Sequence, residues 1–115
     1  MFKEIDRKAF NIMKEHLLKQ RAKSVRSDGQ CRYRGSGGSK CAVGCLISDN
    51  IYYDGLEGRN ADNYEVLAAI EKSGNGTPNI RMLNWMQYMH DAVHPYEWEQ
   101  EIDEYESELV KGGIL

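Results

Sequence analysis

The sequence has no apolar run near the roughly 20 residues that a membrane-spanning helix needs, so we expect no membrane segment. Its first eight residues carry charges of both signs and no continuous apolar stretch, which is unlike a secretory signal peptide. Only three cysteines are present, and an odd number without an export signal is typical of a reducing compartment. The sequence therefore predicts a cytoplasmic protein.

Apolar residues make up 41% of the 115 positions and charged residues 29%, with seven tyrosines and two tryptophans. This composition indicates a folded chain, because disordered chains are poor in aromatic residues. The length predicts one globular domain over residues 1–115.

Charge is distributed unevenly along the chain. Residues 1–45 hold eleven Lys/Arg and four Asp/Glu, a net charge of +7, whereas residues 46–115 hold four and fourteen, a net charge of −10. Such asymmetry is typical of an anion site on one side and an acidic interaction surface on the other. The alternative is that the two halves attract each other, within the fold or in a homodimer.

The spacing of apolar residues predicts several helices. Residues 3–21 are predicted to form an amphipathic helix, and its apolar stripe starts one residue earlier, at Phe2. His16 lies at the edge of this stripe, as expected for a partly buried structural histidine. A capping box at Asp62-x-x-Glu65 opens a helix over residues 63–73.

Proline positions predict the remaining boundaries. Thr77-Pro78 is a helix start, and this helix ends near His94 because Pro95 follows. Pro95 opens a last helix with many acidic residues. The segment Cys41–Ile47 is apolar and fits either a strand or a buried helical turn. We therefore predict a mainly α fold, a compact domain of four or five helices with a short β-hairpin around residues 31–43.

The glycine-rich loop 35–40 lies between basic residues. Flexible backbone N–H groups and flanking cations favour binding of a phosphate-bearing anion, although the glycine spacing is not that of a Walker A loop. The alternative is a plain turn with solvated arginines. The predicted ligand-binding residues are Arg32, Tyr33, Arg34, Gly37, Gly38, Lys40 and Cys41.

Other chemistry has weaker support. The alternative to a binding protein is a small hydrolase or transferase that uses Cys41 as nucleophile or His90 and Asp91 for acid–base chemistry; the residue types are present, but no spacing places them together. Cysteine and histidine could bind zinc, but only one cysteine cluster is present, whereas structural zinc sites use two. We therefore predict no metal, no cofactor and no assigned catalytic residue.

The last helix offers Glu101, Glu104 and Glu108 as a surface for a basic partner protein; the alternative is a solvated helix face. Direct nucleic-acid binding is not expected, because the isoelectric point is near 5.6.

Two segments resemble a family of small proteins of tailed bacteriophages and prophages. Residues 31–58 (CRYRGSGGSKCAVGCLISDNIYYDGLEG) match its pattern C-x-Y-R-G-x-G-G-x-K-C-A-V-G-x-L-I, and residues 83–98 (LNWMQYMHDAVHPYEW) match a second signature ending in His-Asp, Pro and Trp. The chain departs from the family at Ser48, where proline is common. The family has no known activity, so the resemblance implies a phage setting alone. The sequence thus predicts a phage accessory protein in the bacterial host cytoplasm, binding a host protein or a small anionic ligand in counter-defence or host takeover.

Overall fold

Helix α1 spans Phe2–Gln20 in the computed structural model, which describes residues 2–115 and, for Phe2, the backbone alone. The predicted inward position of the Phe2 side chain therefore lies outside the described part. The stripe is otherwise as predicted, since Met13 and Leu17 are fully buried. His16 is half-buried, and its Nε2–H donates to the backbone carbonyl of Lys40 at 2.8 Å.

Helix α2 spans Tyr64–Ile70 and continues into a π-helical turn, Glu71–Asn75. Its cap differs from the prediction. The side chain of Asn63 accepts a hydrogen bond from the backbone N–H of Glu65 at 2.9 Å, so Asn63 is the N-cap and not Asp62. Asn63 has the extended backbone of a capping residue, which places its carboxamide oxygen within reach of the second helical N–H.

Helix α3 spans Ile80–Ala92 and begins later than the predicted Thr77-Pro78 start. Asn79 is its N-cap, because its side-chain oxygen accepts from the backbone N–H of Met82 at 3.1 Å. The backbone N–H of Asn79 donates in turn to the carboxylate of Asp6 in α1 at 2.7 Å. This bond fixes the start of α3 against α1.

A short 3₁₀ turn, Pro95–Glu97, precedes helix α4, Trp98–Lys111. Pro95 therefore separates α3 from α4 as predicted. The indole N–H of Trp98 donates to the carbonyl of Val93 at 2.9 Å, and its ring is fully buried. This contact holds the turn between the two helices against the core.

The predicted hairpin around residues 31–43 is wrong. Residues 2–115 contain no β-strand, only two isolated antiparallel bridges, Val25 with Cys31 and Arg34 with Lys40. Between the second pair the chain makes a 3₁₀ turn, Ser36–Gly38. The fold is mainly α, as predicted, with four α-helices in the described part of the chain.

A side chain from elsewhere explains the missing hairpin. The backbone N–H groups of Tyr33 and Arg34 donate to the two carboxylate oxygens of Glu57, at 2.9 and 3.0 Å. Successive N–H groups of a strand point to opposite sides, so a hairpin partner could accept from only one of these two. Because a carboxylate satisfies both of them, the segment stays irregular although its backbone is hydrogen-bonded.

The apolar segment Cys41–Ile47 contains a 3₁₀ turn, Gly44–Leu46, which lies against α1. Leu46 and Ile47 are buried in a core to which all four helices contribute. None of the helices in residues 2–115 is both long enough and apolar enough to cross a membrane.

Basic side chains of α1 pair with acidic side chains of α4. Arg7 Nη1 lies 2.6 Å from Glu106 Oε2, and Lys14 Nζ lies 2.9 Å from Glu106 Oε1 and 3.1 Å from Asp103. The +7 and −10 halves therefore attract each other within the fold, as one of the two alternatives for the charge asymmetry predicts.

Candidate ligand-binding site

Three arginines border one surface cleft of about 320 Å³. Its walls come from the loop between α1 and the buried 3₁₀ turn, and no acidic residue in the described part of the chain lines it. We call it the arginine cleft. It is lined by Arg26, Ser27, Arg32, Arg34, Gly35 and Ser36.

Arg34 is held rigidly at the base of the cleft. Its guanidinium donates to the carbonyl oxygens of Gly44 at 2.8 Å and Ile47 at 2.6 Å, and lies 4.6 Å from the ring centre of Tyr52. Asp49 pairs with it at 3.1 Å, and the side chain is only 17% exposed. Arg34 thus contributes positive charge to the cleft, although most of its N–H groups are already bound within the protein.

Arg26 and Arg32 retain donors that face solvent. Arg26 pairs with Asp28 across a tight turn, and this guanidinium holds the pKa of the Asp28 carboxyl at about 2. Arg32 approaches Glu57 only through Nε, at 3.5 Å. The remaining guanidinium N–H groups of both arginines can meet an anion in the forked geometry that suits phosphate.

Glu57 binds the backbone just before the glycine-rich loop 35–40, which is where the sequence predicted the anion cradle. Besides the N–H groups of Tyr33 and Arg34, its carboxylate accepts from the hydroxyl of Tyr52 at 2.6 Å. Burial and this hydrogen bond raise the pKa of Tyr52 to about 12. A ligand in the arginine cleft would therefore bind to side chains and not to these two backbone groups.

The glycines and the lysine of the predicted site lie away from the cleft walls. Gly37 and Gly38 form the exposed tip of the loop, where φ values of 69° and 77° favour glycine. Lys40 Nζ lies 3.3 Å from Asp49. The structure therefore brings Arg32 and Arg34 together, and none of these three joins them in lining the cleft.

Tyr33 and Cys41 are buried. The hydroxyl of Tyr33 donates to the carbonyl of Arg59. Cys41 Sγ accepts from the backbone N–H of Gly44 at 3.2 Å, and burial raises the pKa of its thiol. Neither side chain is placed to contact a ligand in the arginine cleft.

His90 and Asp91 are adjacent not to Cys41 but to Cys31, with their ligand atoms within 4.8 Å of one another. His90 Nε2 accepts from the backbone N–H of Ser24 at 2.9 Å, so Nδ1 carries the proton and donates to Asp91 at 2.7 Å. Both ring nitrogens are thereby engaged. A metal ion or a transferred proton would have to displace one of these bonds.

Burial, and then the negative charge of Asp91, raise the pKa of the Cys31 thiol. Cys31 is therefore a thiol at neutral pH and a poor nucleophile. Sequence reasoning missed its position beside His90, and no local pattern links residues so far apart in the chain. It also missed Arg26, for which the basic stretch 20–28 was an available signal.

The predicted acidic surface on α4 is partly retained. Glu104 and Glu108 are exposed and Glu101 is half-buried, and within residues 2–115 none of the three forms an ion pair. Asp103 and Glu106, on the same helix, bind Lys14 instead. The helix thus uses one acidic face internally and presents another to solvent.

Comparison with known proteins adds no relative. No family model matches the chain, and neither a curated protein nor a solved structure matches it significantly.

Proposed function

We propose that the protein is a non-enzymatic accessory protein of tailed bacteriophages that binds a small phosphate-bearing ligand in the arginine cleft. The phage setting rests on the resemblance of residues 31–58 and 83–98 to that family. In this proposal the protein acts in the host cytoplasm, where sequestering such a ligand would serve counter-defence or host takeover.

One observation carries the ligand class: three arginines line the same cleft without an acidic side chain among the described wall residues. Each arginine is paired with one carboxylate, that of Asp28, Glu57 or Asp49, but none of these acids lines the cleft, so a bound anion would meet the positive charges from the cleft side. Arg34 is fixed by the fold, and Arg26 and Arg32 offer free guanidinium N–H groups. A non-enzymatic role is supported by His90, whose two ring nitrogens are both hydrogen-bonded, and by Cys41, whose thiol is buried.

Inorganic pyrophosphate is the simplest probe of this site. We expect isothermal titration calorimetry to detect its binding, with an affinity that falls as salt is raised. The variant Arg26→Ala/Arg32→Ala should bind at least about tenfold more weakly, because each charge-assisted hydrogen bond contributes about 1.5–3 kcal/mol.

The matched control is Lys19→Ala/Arg81→Ala, which removes two exposed basic residues that are not among the cleft walls. It should bind pyrophosphate like the unaltered protein. Equal weakening in both variants would show that net charge, and not this cleft, attracts the anion. Absence of binding by the unaltered protein at millimolar pyrophosphate would refute the proposal.

A second candidate is docking of α4 on a basic host protein. It is favoured by the three glutamates, which form no ion pair with any of residues 2–115, whereas their neighbours Asp103 and Glu106 do. In a pull-down from host lysate, Glu101→Gln/Glu104→Gln/Glu108→Gln should lose a salt-sensitive partner that the control Glu4→Gln/Glu15→Gln/Glu71→Gln retains. Identical capture by both variants at low and high salt would exclude this interface.

A further inference from the structure

A second cleft, of about 360 Å³, adjoins the arginine cleft. One wall is the loop that contains Gly58 and Asn60, and the other is the face of α3 that carries Asn84 and Tyr88. We call it the amide cleft. Arg32 lines both clefts, so a single ligand can extend from one to the other past its guanidinium.

A smaller hollow of about 190 Å³ connects the two clefts. It is bordered by Arg26 from the arginine cleft and by Cys31 and Gly58 from the amide cleft, with Arg32 common to all three. The continuous groove therefore has a cationic end and an end where amides and an aromatic ring lie among the charged residues Glu57, Arg59 and Asp91. Glu57 also borders the connecting hollow, but its carboxylate oxygens accept hydrogen bonds from Tyr33, Arg34 and Tyr52.

The amide cleft offers hydrogen-bonding groups of both kinds. Each carboxamide of Asn60 and Asn84 provides donors and an acceptor, and within residues 2–115 neither is hydrogen-bonded to another side chain. The carboxylate of Asp91, at the end of α3, adds a further acceptor, although one of its oxygens already receives hydrogen bonds from His90 and Gln87. These groups match the mixed donor and acceptor edge of a nucleobase.

Tyr88 adds a flat apolar surface. Its side chain is 65% exposed although it borders a cleft, so its ring is available to a planar ligand. Stacking of a base on an aromatic side chain is favourable and tolerates different bases. A sugar phosphate would use the arginines but has no planar base to stack on this ring.

We infer that the groove binds a nucleotide, with the phosphates at Arg26 and Arg32 and the base in the amide cleft against Tyr88 and Asn84. The inference rests on the proposed phosphate site and names its ligand class. It predicts two separable contributions to affinity, one electrostatic and one from the base.

The test compares four nucleoside diphosphates (ADP, GDP, CDP and UDP) with inorganic pyrophosphate and ribose 5-phosphate by calorimetry. At least one nucleotide should bind about tenfold or more tightly than pyrophosphate, because its base stacks on the Tyr88 ring. Asn84→Ala/Tyr88→Ala should remove this advantage and leave the affinity for pyrophosphate unchanged. Both residues are exposed on α3, so the substitutions spare the core.

The control Tyr96→Ala/Gln100→Ala also removes one exposed tyrosine and one exposed amide, outside the groove walls. It should keep the nucleotide preference. If nucleotides bind no better than pyrophosphate or ribose 5-phosphate, or if both double variants lose the preference equally, the base site is refuted while the phosphate site stands. If no probe binds, both proposals fail.

Discussion

Glu57 and Arg34 are connected through the backbone and not through their charges. The Glu57 carboxylate accepts the backbone N–H of Arg34 at 3.0 Å, while the Arg34 guanidinium points to the carbonyl oxygens of Gly44 and Ile47. Each side chain thus replaces a partner that regular secondary structure would supply. Together they hold the loop that forms the arginine cleft.

Removing the Glu57 carboxylate should destabilise the protein strongly. In Glu57→Ala, two backbone N–H groups and the Tyr52 hydroxyl lose their acceptor, and because Glu57 is only 13% exposed water replaces it incompletely. We expect the free energy of unfolding, measured by urea titration, to fall by about 3 kcal/mol.

Glu57→Gln retains one acceptor oxygen, so it should lose less stability, about 1 kcal/mol. The exposed control Glu71→Gln should change stability by less than about 0.5 kcal/mol. A Glu57→Ala variant as stable as this control would show that the loop does not depend on the carboxylate.

The contact between α1 and α4 should make stability depend on pH in the acid range. Hydrogen bonds from Lys14 and Arg7 hold the pKa of the Glu106 carboxyl below its ordinary value of 4.5. Because the folded-state pKa is the lower one, the stabilisation is fully present above pH 4.5 and is lost as pH falls through the folded-state pKa.

Glu106→Gln should therefore unfold more easily than the unaltered protein above about pH 5, by about 1 kcal/mol, and the difference should shrink as pH falls below 4.5. Glu108→Gln is the matched control. Glu108 lies two residues further along α4, is exposed, and forms no ion pair in the described chain. The measurement is urea unfolding at a series of pH values. A difference independent of pH would mean that the ion pairs contribute nothing.

The three cysteines should differ in reactivity. Cys31 and Cys45 are half-buried and Cys41 is buried, and burial raises the pKa of all three thiols. The pKa of Cys45 rises to about 12, so almost none of this thiol is ionised at neutral pH. With iodoacetamide at pH 7.5, mass spectrometry should find a first, slow modification at Cys31 and label on the other two only after unfolding in urea. In Cys31→Ser the native protein should stay unmodified over the same period; rapid labelling of Cys41 there would contradict the buried position.

The helices were predictable because their information is local. The stripe from Ile5 to Leu17 predicts α1 within one residue at its end, and Pro95 separates α3 from α4 as expected. The hairpin was not predictable in the same way. Its outcome depends on Glu57, which lies 23 and 24 positions from the two N–H groups it binds, and no periodicity reports such a contact.

The candidate site was predictable in composition and not in geometry. The basic loop does place Arg32 and Arg34 at one cleft, but the glycines that suggested a phosphate cradle form a solvent-facing tip. The third arginine of the cleft, Arg26, was not among the predicted residues. The amide cleft forms only because α3 packs beside the loop of residues 57–61. Both depend on tertiary contacts that a linear pattern does not contain.

The ion pairs between α1 and α4 also constrain when the protein can fold during synthesis. Arg7 and Glu106 are 99 positions apart, so the acidic partner on α4 is synthesised long after the first helix. Contacts this distant in sequence slow folding, because a long loop must close before they form. Until α4 emerges, the cationic face of α1 has no internal counter-charge, and the nascent chain presents it to the anionic surroundings of the ribosome.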